Sequence, residues 1–321
     1  MSRNRLGSCA YLIVLLVAGY SAAYAQDTYP TKPIRILTSP AGGGGDFASR
    51  IIADGLTSSL REKVIVDNRP AILASEVVAN APADGYTVLV VQSQFWTLPL
   101  LQDNVPYDPV KQFAPISITD KSPVILVVHP SLPVKSVPEL IKFAKSRPGE
   151  LNFSRPSVGS PTHLAAELFK SMAGIDIVGI AYKGGAGAAM AIMSGEVHMG
   201  FVSLAAGREM IKAKRLRGLA VSTVEPSPMF PELPTVAAAG LQGFDAALIG
   251  GMFAPAGTPA SIINKLSQEV VQVLRRPGPI ERFSKAGVTA VGSSPEALAS
   301  LVKSDMVKYG KLARDAKIRI K

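Results

Sequence analysis

The chain has 321 residues, 47% hydrophobic and 18% charged, with 34 Lys and Arg against 24 Asp and Glu and a net charge of +10. That composition marks a folded chain of about two domains, because disordered chains are poorer in apolar residues and richer in charge. A single cysteine, Cys9, and three histidines, His129, His163 and His198, exclude disulfide frameworks, iron–sulfur clusters and cysteine-rich zinc sites.

Residues 1–25 read as a secretory signal. Arg3 and Arg5 form a basic start, residues 9–18 are mostly apolar and too few to span a membrane, and Ala23-Tyr24-Ala25 fits small-x-small cleavage before Gln26. Cleavage there discards Cys9 and takes the net charge from +10 to +8. The remaining chain is expected to be exported and free of cysteine.

The mature sequence alternates short β-rich runs with amphipathic helices. Ile34 to Thr38 is a strand that ends in Pro40-Ala41-Gly42-Gly43-Gly44-Gly45-Asp46. A helix is expected from about 47 to 60, with Asp46 as its N-cap. Val64-Ile65-Val66, residues 87–91 and residues 124–128 are further strands. A second series begins near residue 128. Ser136 caps a helix to Lys145, residues 151–153 are a strand, and Pro161 opens a helix to Met172. Residues 175–180 lead into Tyr182-Lys183-Gly184-Gly185, with a helix expected from 188 to 193. Residues 197–201 and 219–222 are strands, and helices are expected at 261–274 and 295–316. Near-continuous apolar strands between helices predict an α/β fold with parallel sheet, in two series joined around residue 127.

Three glycine turns stand before helices: 42–45, Gly159-Ser160 and Gly184-Gly185. Such turns aim backbone N–H groups and a helix dipole at one point and so suit a carboxylate or phosphate. In open α/β sheets ligands bind at the carboxyl ends of strands, so three turns in two series point to one shared cleft. Gly43-x-Gly45-x-x-Ala48 followed by Asp67 also fits a dinucleotide fingerprint, although Pro40 and the extra glycines lengthen the turn. His163, beside Ser157 and Ser160, is the one histidine placed for hydrolytic chemistry, or it bonds within its own loop; His198 reads as structural. There is no G-x-S-x-G or H-E-x-x-H pattern, no metal site is expected, and the lack of basic clusters with interleaved aromatics argues against nucleic acid. Lys212, Lys214, Arg215 and Arg217 read as a solvated turn, and Lys303, Lys308, Lys311 and Arg314 as solvated helix faces.

The ordered set of motifs resembles one family over essentially the whole mature chain. It comprises Pro40-x-Gly-Gly-Gly-Gly-Asp46, Val66-Asp67-Asn68-Arg69-Pro70, Asp84-Gly85-Tyr86-Thr87, Pro106-Tyr107-Asp108-Pro109-Val110, Gly159-Ser160-x-x-His163-Leu164, Tyr182-Lys183-Gly184-Gly185, Leu233-Pro234-Thr235-Val236 and Ala254-Pro255-Ala256-Gly257-Thr258-Pro259. The family is the Bug-type substrate-binding receptors of tripartite tricarboxylate transporters. The resemblance implies a periplasmic binding protein of type II fold with two Rossmann-like lobes, residues 26–126 with 249–321 and residues 127–248, and a ligand cleft between them. It implies a monomeric, non-enzymatic receptor without cofactor, which takes a small organic acid and delivers it to the membrane components of a tripartite transporter. The matching ligand-binding positions are Ala41, Gly42, Gly43, Gly44, Asp46, Ser93, Ser157, Gly159, Ser160, His163, Lys183, Gly184, Gly185 and Ser203. The competing reading is an exported α/β enzyme, either a hydrolase or a dinucleotide-dependent one.

The chain departs from the family pattern in four places. Ala71-Ile72-Leu73-Ala74-Ser75 replaces a glycine-rich loop, Ala191 an acid, Val202 the acid of a Phe-Asp pair, and Ile249-Gly250 a Trp-Tyr pair. These predict a more apolar pocket, suited to a monocarboxylate or less polar ligand rather than to a tricarboxylate.

Overall fold

The computed structural model describes residues 29–319; the expected signal segment and Cys9 lie outside them. Two sheets organise the chain. The first has the order β11-β4-β10-β3-β1-β2, built from β1 (Ile34–Thr38), β2 (Val64–Asn68), β3 (Thr87–Gln92), β4 (Phe113–Ser122), β10 (Leu248–Pro255) and β11 (Thr289–Ala290). The second has the order β7-β6-β8-β5-β9, from β5 (Val124–Val128), β6 (Asn152–Arg155), β7 (Val178–Ala181), β8 (Met199–Ser203) and β9 (Arg217–Val221). Neither is purely parallel, which corrects the expectation. In the first sheet, β10 runs antiparallel between β3 and β4. In the second, β5 runs antiparallel between β8 and β9. These two antiparallel strands are where the chain arrives from the other sheet. A crossing segment enters a sheet from the end facing the other sheet and so opposes the βα-wound strands.

The first crossing is short. β4 ends at Ser122 and β5 begins at Val124, with buried Pro123 between them. Residues 124–126 therefore pair in the second sheet, slightly before the expected junction at 127. The return runs from β9 to β10, and Ser222 ties both passages: its Oγ receives the Val124 N–H at 3.0 Å and donates to the Ala246 carbonyl at 3.1 Å.

Helices cover the sheets: α1 (Gly44–Leu60), α2 (Ala71–Ala79), the short α3 (Gln94–Thr97), α4 (Val137–Lys145), α5 (Pro161–Ala173), α6 (Gly184–Ser194), α7 (Leu204–Lys212), α8 (Ala260–Leu274), α9 (Pro277–Lys285) and α10 (Pro295–Asp315). Apolar residues of α1 and α8 pack with Ile34, Ile36, Val88 and Val90 into one core. Leu164, Leu168 and Phe169 of α5 pack with Phe153 and Phe201 into another. Removing a large side chain from such a core costs about 3–5 kcal/mol. The C-terminal α10 is shared. Leu298 and Val302 join a core of the first sheet, while Tyr309, Leu312 and Ala313 join that of the second. Lys308 is tied to the Asp305 carboxylate at 3.0 Å and the Asp245 carbonyl at 3.1 Å rather than lying free in solvent.

Candidate functional site

The first glycine turn follows the carboxyl end of β1. Gly43, with extended backbone, is the N-cap of α1, and no side chain caps it. The glycines thus enter the first turn of the helix, where low helix propensity had suggested loop. Close packing explains why: a Cβ on Gly45 would lie 2.8 Å from Ser39 Oγ and 2.9 Å from Thr38 Oγ1. Gly42 has φ +84°, and a Cβ there would meet open space. Orphan N–H groups at this helix start therefore remain available, since the first turn has no intrahelical acceptors.

Asp46 does not cap the helix. It is buried and spends its carboxylate inside the turn. Oδ2 receives the Gly42 N–H at 3.0 Å, while Oδ1 receives Asn68 Nδ2 and faces Arg50 Nε, both at 2.9 Å. Burial pushes its pKa up, but the Gly42, Arg50 and Asn68 bonds outweigh this and hold the carboxyl below its usual range. Asp46 thereby shapes the turn. Ala41 is exposed on the same turn. Ser93 is buried, and its carbonyl receives the backbone N–H groups of Trp96 and Thr97, both at 3.2 Å. Asp67, the candidate ribose acid, is held by Arg69 Nε at 2.9 Å and Arg35 at 3.9 Å. The replaced glycine-rich loop is the start of α2, and its Ile72 and Leu73 are exposed.

Asp120 of β4 escaped the sequence reading. It is 4% exposed, takes a 2.6 Å bond from Thr119 Oγ1 and a 3.4 Å bond from Gln92 Nε2, and has no cation beside it. Burial pushes its pKa up to about 6. It faces Gly250, where any side chain would collide with its carboxyl. The Gln92 amide also lies 3.5 Å from the Cβ position of Gly44, so this acid sits behind the start of α1.

In the second sheet, the turn after β6 is largely self-satisfied. Ser160 caps α5 by accepting the His163 N–H, and Gly159, at φ +76°, donates its N–H to His163 Nδ1 at 3.0 Å. His163 is 1% exposed, with Nε2 3.5 Å from Glu167. Because Nδ1 accepts, Nε2 carries the proton, and the ring activates neither serine. His163 therefore orders the turn through the within-loop bond that the sequence allowed. Ser157 is exposed. Ser203 caps α7 by accepting the Ala206 N–H at 3.3 Å. The turn after β7 is open. Lys183 is the N-cap of α6 without a capping side-chain bond, and no heavy atom lies within 4 Å of a Cβ on Gly184 or Gly185. His198 Nδ1 accepts the Asn152 N–H at 2.9 Å and is structural. Arg217, expected in solvent, donates to the carbonyls of Pro130, Leu132 and Val134.

Residues packed on the two sheets meet near β11. A side chain at Gly287, just before β11, would run into Leu204 at the start of α7 and into Met229. A cavity of about 610 Å³ lies alongside, lined by Lys121, Pro123, Thr223, Met229, Ile280 and Val288; none of the glycine turns lines it. Among the described residues, no group of three or more His, Cys, Asp or Glu could hold a metal ion, and no helix is long and apolar enough to cross a membrane.

Two wound sheets joined by crossing strands, with helix starts at the carboxyl ends of their strands, define a type II periplasmic binding protein. Comparison with known proteins gives the family. The model of the tripartite tricarboxylate transporter family receptor matches residues 48–318, and the chain belongs to that family. It is 31% identical to the protein BugT of Bordetella pertussis over 318 residues, 96% of this chain and 97% of that one. Among solved structures, R. palustris Rpa4515 with adipate is 33% identical with a TM-score of 0.75, covering 91% of this chain and 99% of its own. The periplasmic binding protein BugD is 27% identical with a TM-score of 0.72, covering 91% of this chain and all of its own. The family and its solved members are solute receptors rather than enzymes.

Proposed function

We propose that this chain is an exported receptor that closes on a small carboxylate between its two sheets and presents it to the membrane components of a tripartite transporter. The observation that carries the reading is that two of the three glycine turns lead into helix starts without capping side chains, Gly43 on the first sheet and Lys183-Gly184 on the second. Anions are favoured at such ends by free N–H groups and the helix dipole. The contacts assigned to ligand are Ala41, Gly42, Gly43, Gly44, Ser93, Ser157, Gly159, Lys183, Gly184 and Gly185, with Asp46, Ser160, His163 and Ser203 as the residues that hold the helix starts in shape. The adipate in Rpa4515 supports the ligand class, and the positive charge of the chain favours an acid.

In this reading, residues 1–25 are removed on export and the mature protein works in the periplasm as a monomer. Its lobes are residues 26–126 with 249–321 and residues 127–248, and they pivot at the two crossings. A ligand favours the closed form only through contacts with both lobes. Native mass spectrometry of protein recovered from the periplasm, with thermal-shift screening against mono-, di- and tricarboxylates, tests this. A bound acid, or a rise in melting temperature with one class of acid, is expected. Absence of both contradicts the proposal.

A further inference from the structure

Arg155 ends β6 at the carboxyl end of the second sheet, immediately before the 156–160 turn. Its Nε is buried and has no hydrogen-bond partner, and no carboxylate among the described residues forms an ion pair with its guanidinium. Arg217, at the opposite end of the same sheet, shows what a structural arginine looks like here. Its Nη1 reaches the carbonyls of Leu132 and Val134 at 3.0 and 2.8 Å, and its Nη2 that of Pro130 at 3.2 Å. Buried polar groups are almost always satisfied, and an exception calls for an explanation.

The surroundings of Arg155 supply one. It pairs in register with Ala181, and its carbonyl receives the Tyr182 N–H at 2.9 Å, so Lys183 and the open start of α6 lie beside it. Glu167 of α5, the helix that follows this turn, faces His163. On the first sheet, Ile72 and Leu73 expose apolar surface at the start of α2, which follows the carboxyl end of β2. The uncapped start of α1 follows the carboxyl end of the neighbouring β1.

We propose that Arg155 is a specificity-determining residue that takes a second anionic group of the ligand, the far carboxylate of an aliphatic dicarboxylate. The near carboxylate sits on the 42–45 turn, and the methylene chain lies on Ile72 and Leu73. The assignment rests on the receptor reading above. It runs against the monocarboxylate expected from the apolar replacements, because a guanidinium enclosed on closure without a counter-charge penalises a neutral tail. Arginine suits the role through its planar two-point grip on carboxylate.

Calorimetric titration of the full periplasmic protein with adipate and with hexanoate, which share chain length and differ by one carboxylate, tests this. The wild type is expected to prefer adipate, and Arg155→Ala to lose about 100-fold in adipate affinity, as for a truncated buried charge pair, with hexanoate affinity changed less than about threefold. Arg155→Lys recovers part of the loss as a point charge. Arg155→Gln takes the place of the alanine variant should that one fail to fold. Equal losses for both acids, or no loss, overturn the assignment and leave the receptor reading standing. Binding of neither acid nor any other carboxylate by the wild type removes both.

Discussion

The α1 start at Gly43 and the α5 start at Ser160 each follow a strand and a glycine turn, yet they leave their helix ends in different states. At Ser160 a hydroxyl accepts the His163 N–H, and His163 Nδ1 takes the Gly159 N–H. At Gly43 no side chain caps the helix, and the nearest carboxylate, Asp46, is turned back onto Gly42 and Asn68. A helix end completed by its own side chains is a structural joint. One left incomplete beside open space is a place for an anion. On this measure the start of α6 at Lys183-Gly184 belongs with α1, so that of the three glycine turns one uncapped helix start stands on each sheet.

Filling the open ends should have the largest effect. A Cβ on Gly44 makes only ordinary contact with Gln92, and one on Gly185 meets nothing, so the fold tolerates side chains there. Gly44→Leu with Gly185→Leu is expected to weaken carboxylate binding about 1,000-fold, or about 4 kcal/mol, with the melting temperature within about 3 °C of wild type. A large loss of melting temperature would place these glycines with the structural joints.

The acid behind the open α1 end gives a pH signature. Asp120 has its pKa pushed up to about 6 by burial, so the folded state holds this proton more tightly than the unfolded chain. Its contribution to stability is therefore full below about pH 4 and is lost as pH rises through about 6. Asp120→Asn should raise stability at pH 8 by at most about 3 kcal/mol, with the gap closing by pH 4. Denaturant titrations at the two pH values check this; a constant gap rejects it.

At the closed joint, His163→Ala leaves the Gly159 N–H without its acceptor and a void behind it. A loss of about 2 kcal/mol in denaturant unfolding is expected, with ligand affinity falling less than tenfold as the turn loosens. Ser160→Ala removes one cap and should cost about 1 kcal/mol, read the same way, with affinity nearly unchanged. A collapse of binding in Ser160→Ala would erase the distinction between the two helix ends.

Much of the fold was legible in the sequence because apolar runs and helix starts state their own geometry. Ser136 caps α4, and Pro161 opens α5, where the sequence put them. The antiparallel β5 and β10 were not legible, because strand direction depends on which sheet the chain has come from and local pattern does not encode it. Gly44 and Gly45 looked like loop since their propensity is low; contact with Thr38 and Ser39 overrides it. The glycine turns were found from composition alone, but which turn is open depends on where Ser160, His163 and Asp46 direct their side chains. Asp120 stands in the polar run Thr119-Asp120-Lys121-Ser122, which carries no motif, and only pairing with Gly250 shows it buried. Arg155 lies beyond the strand expected at 151–153 and belongs to none of the motifs, and the missing partner of its Nε sets it apart.

The central claim, that the open helix ends of the two sheets share one carboxylate ligand, is tested most directly by calorimetric titration of the periplasmic protein with adipate. Saturable binding of one ligand per chain, abolished by Gly44→Leu with Gly185→Leu in a protein that still melts like wild type, is the result the account predicts. Unchanged affinity in that double variant would contradict it.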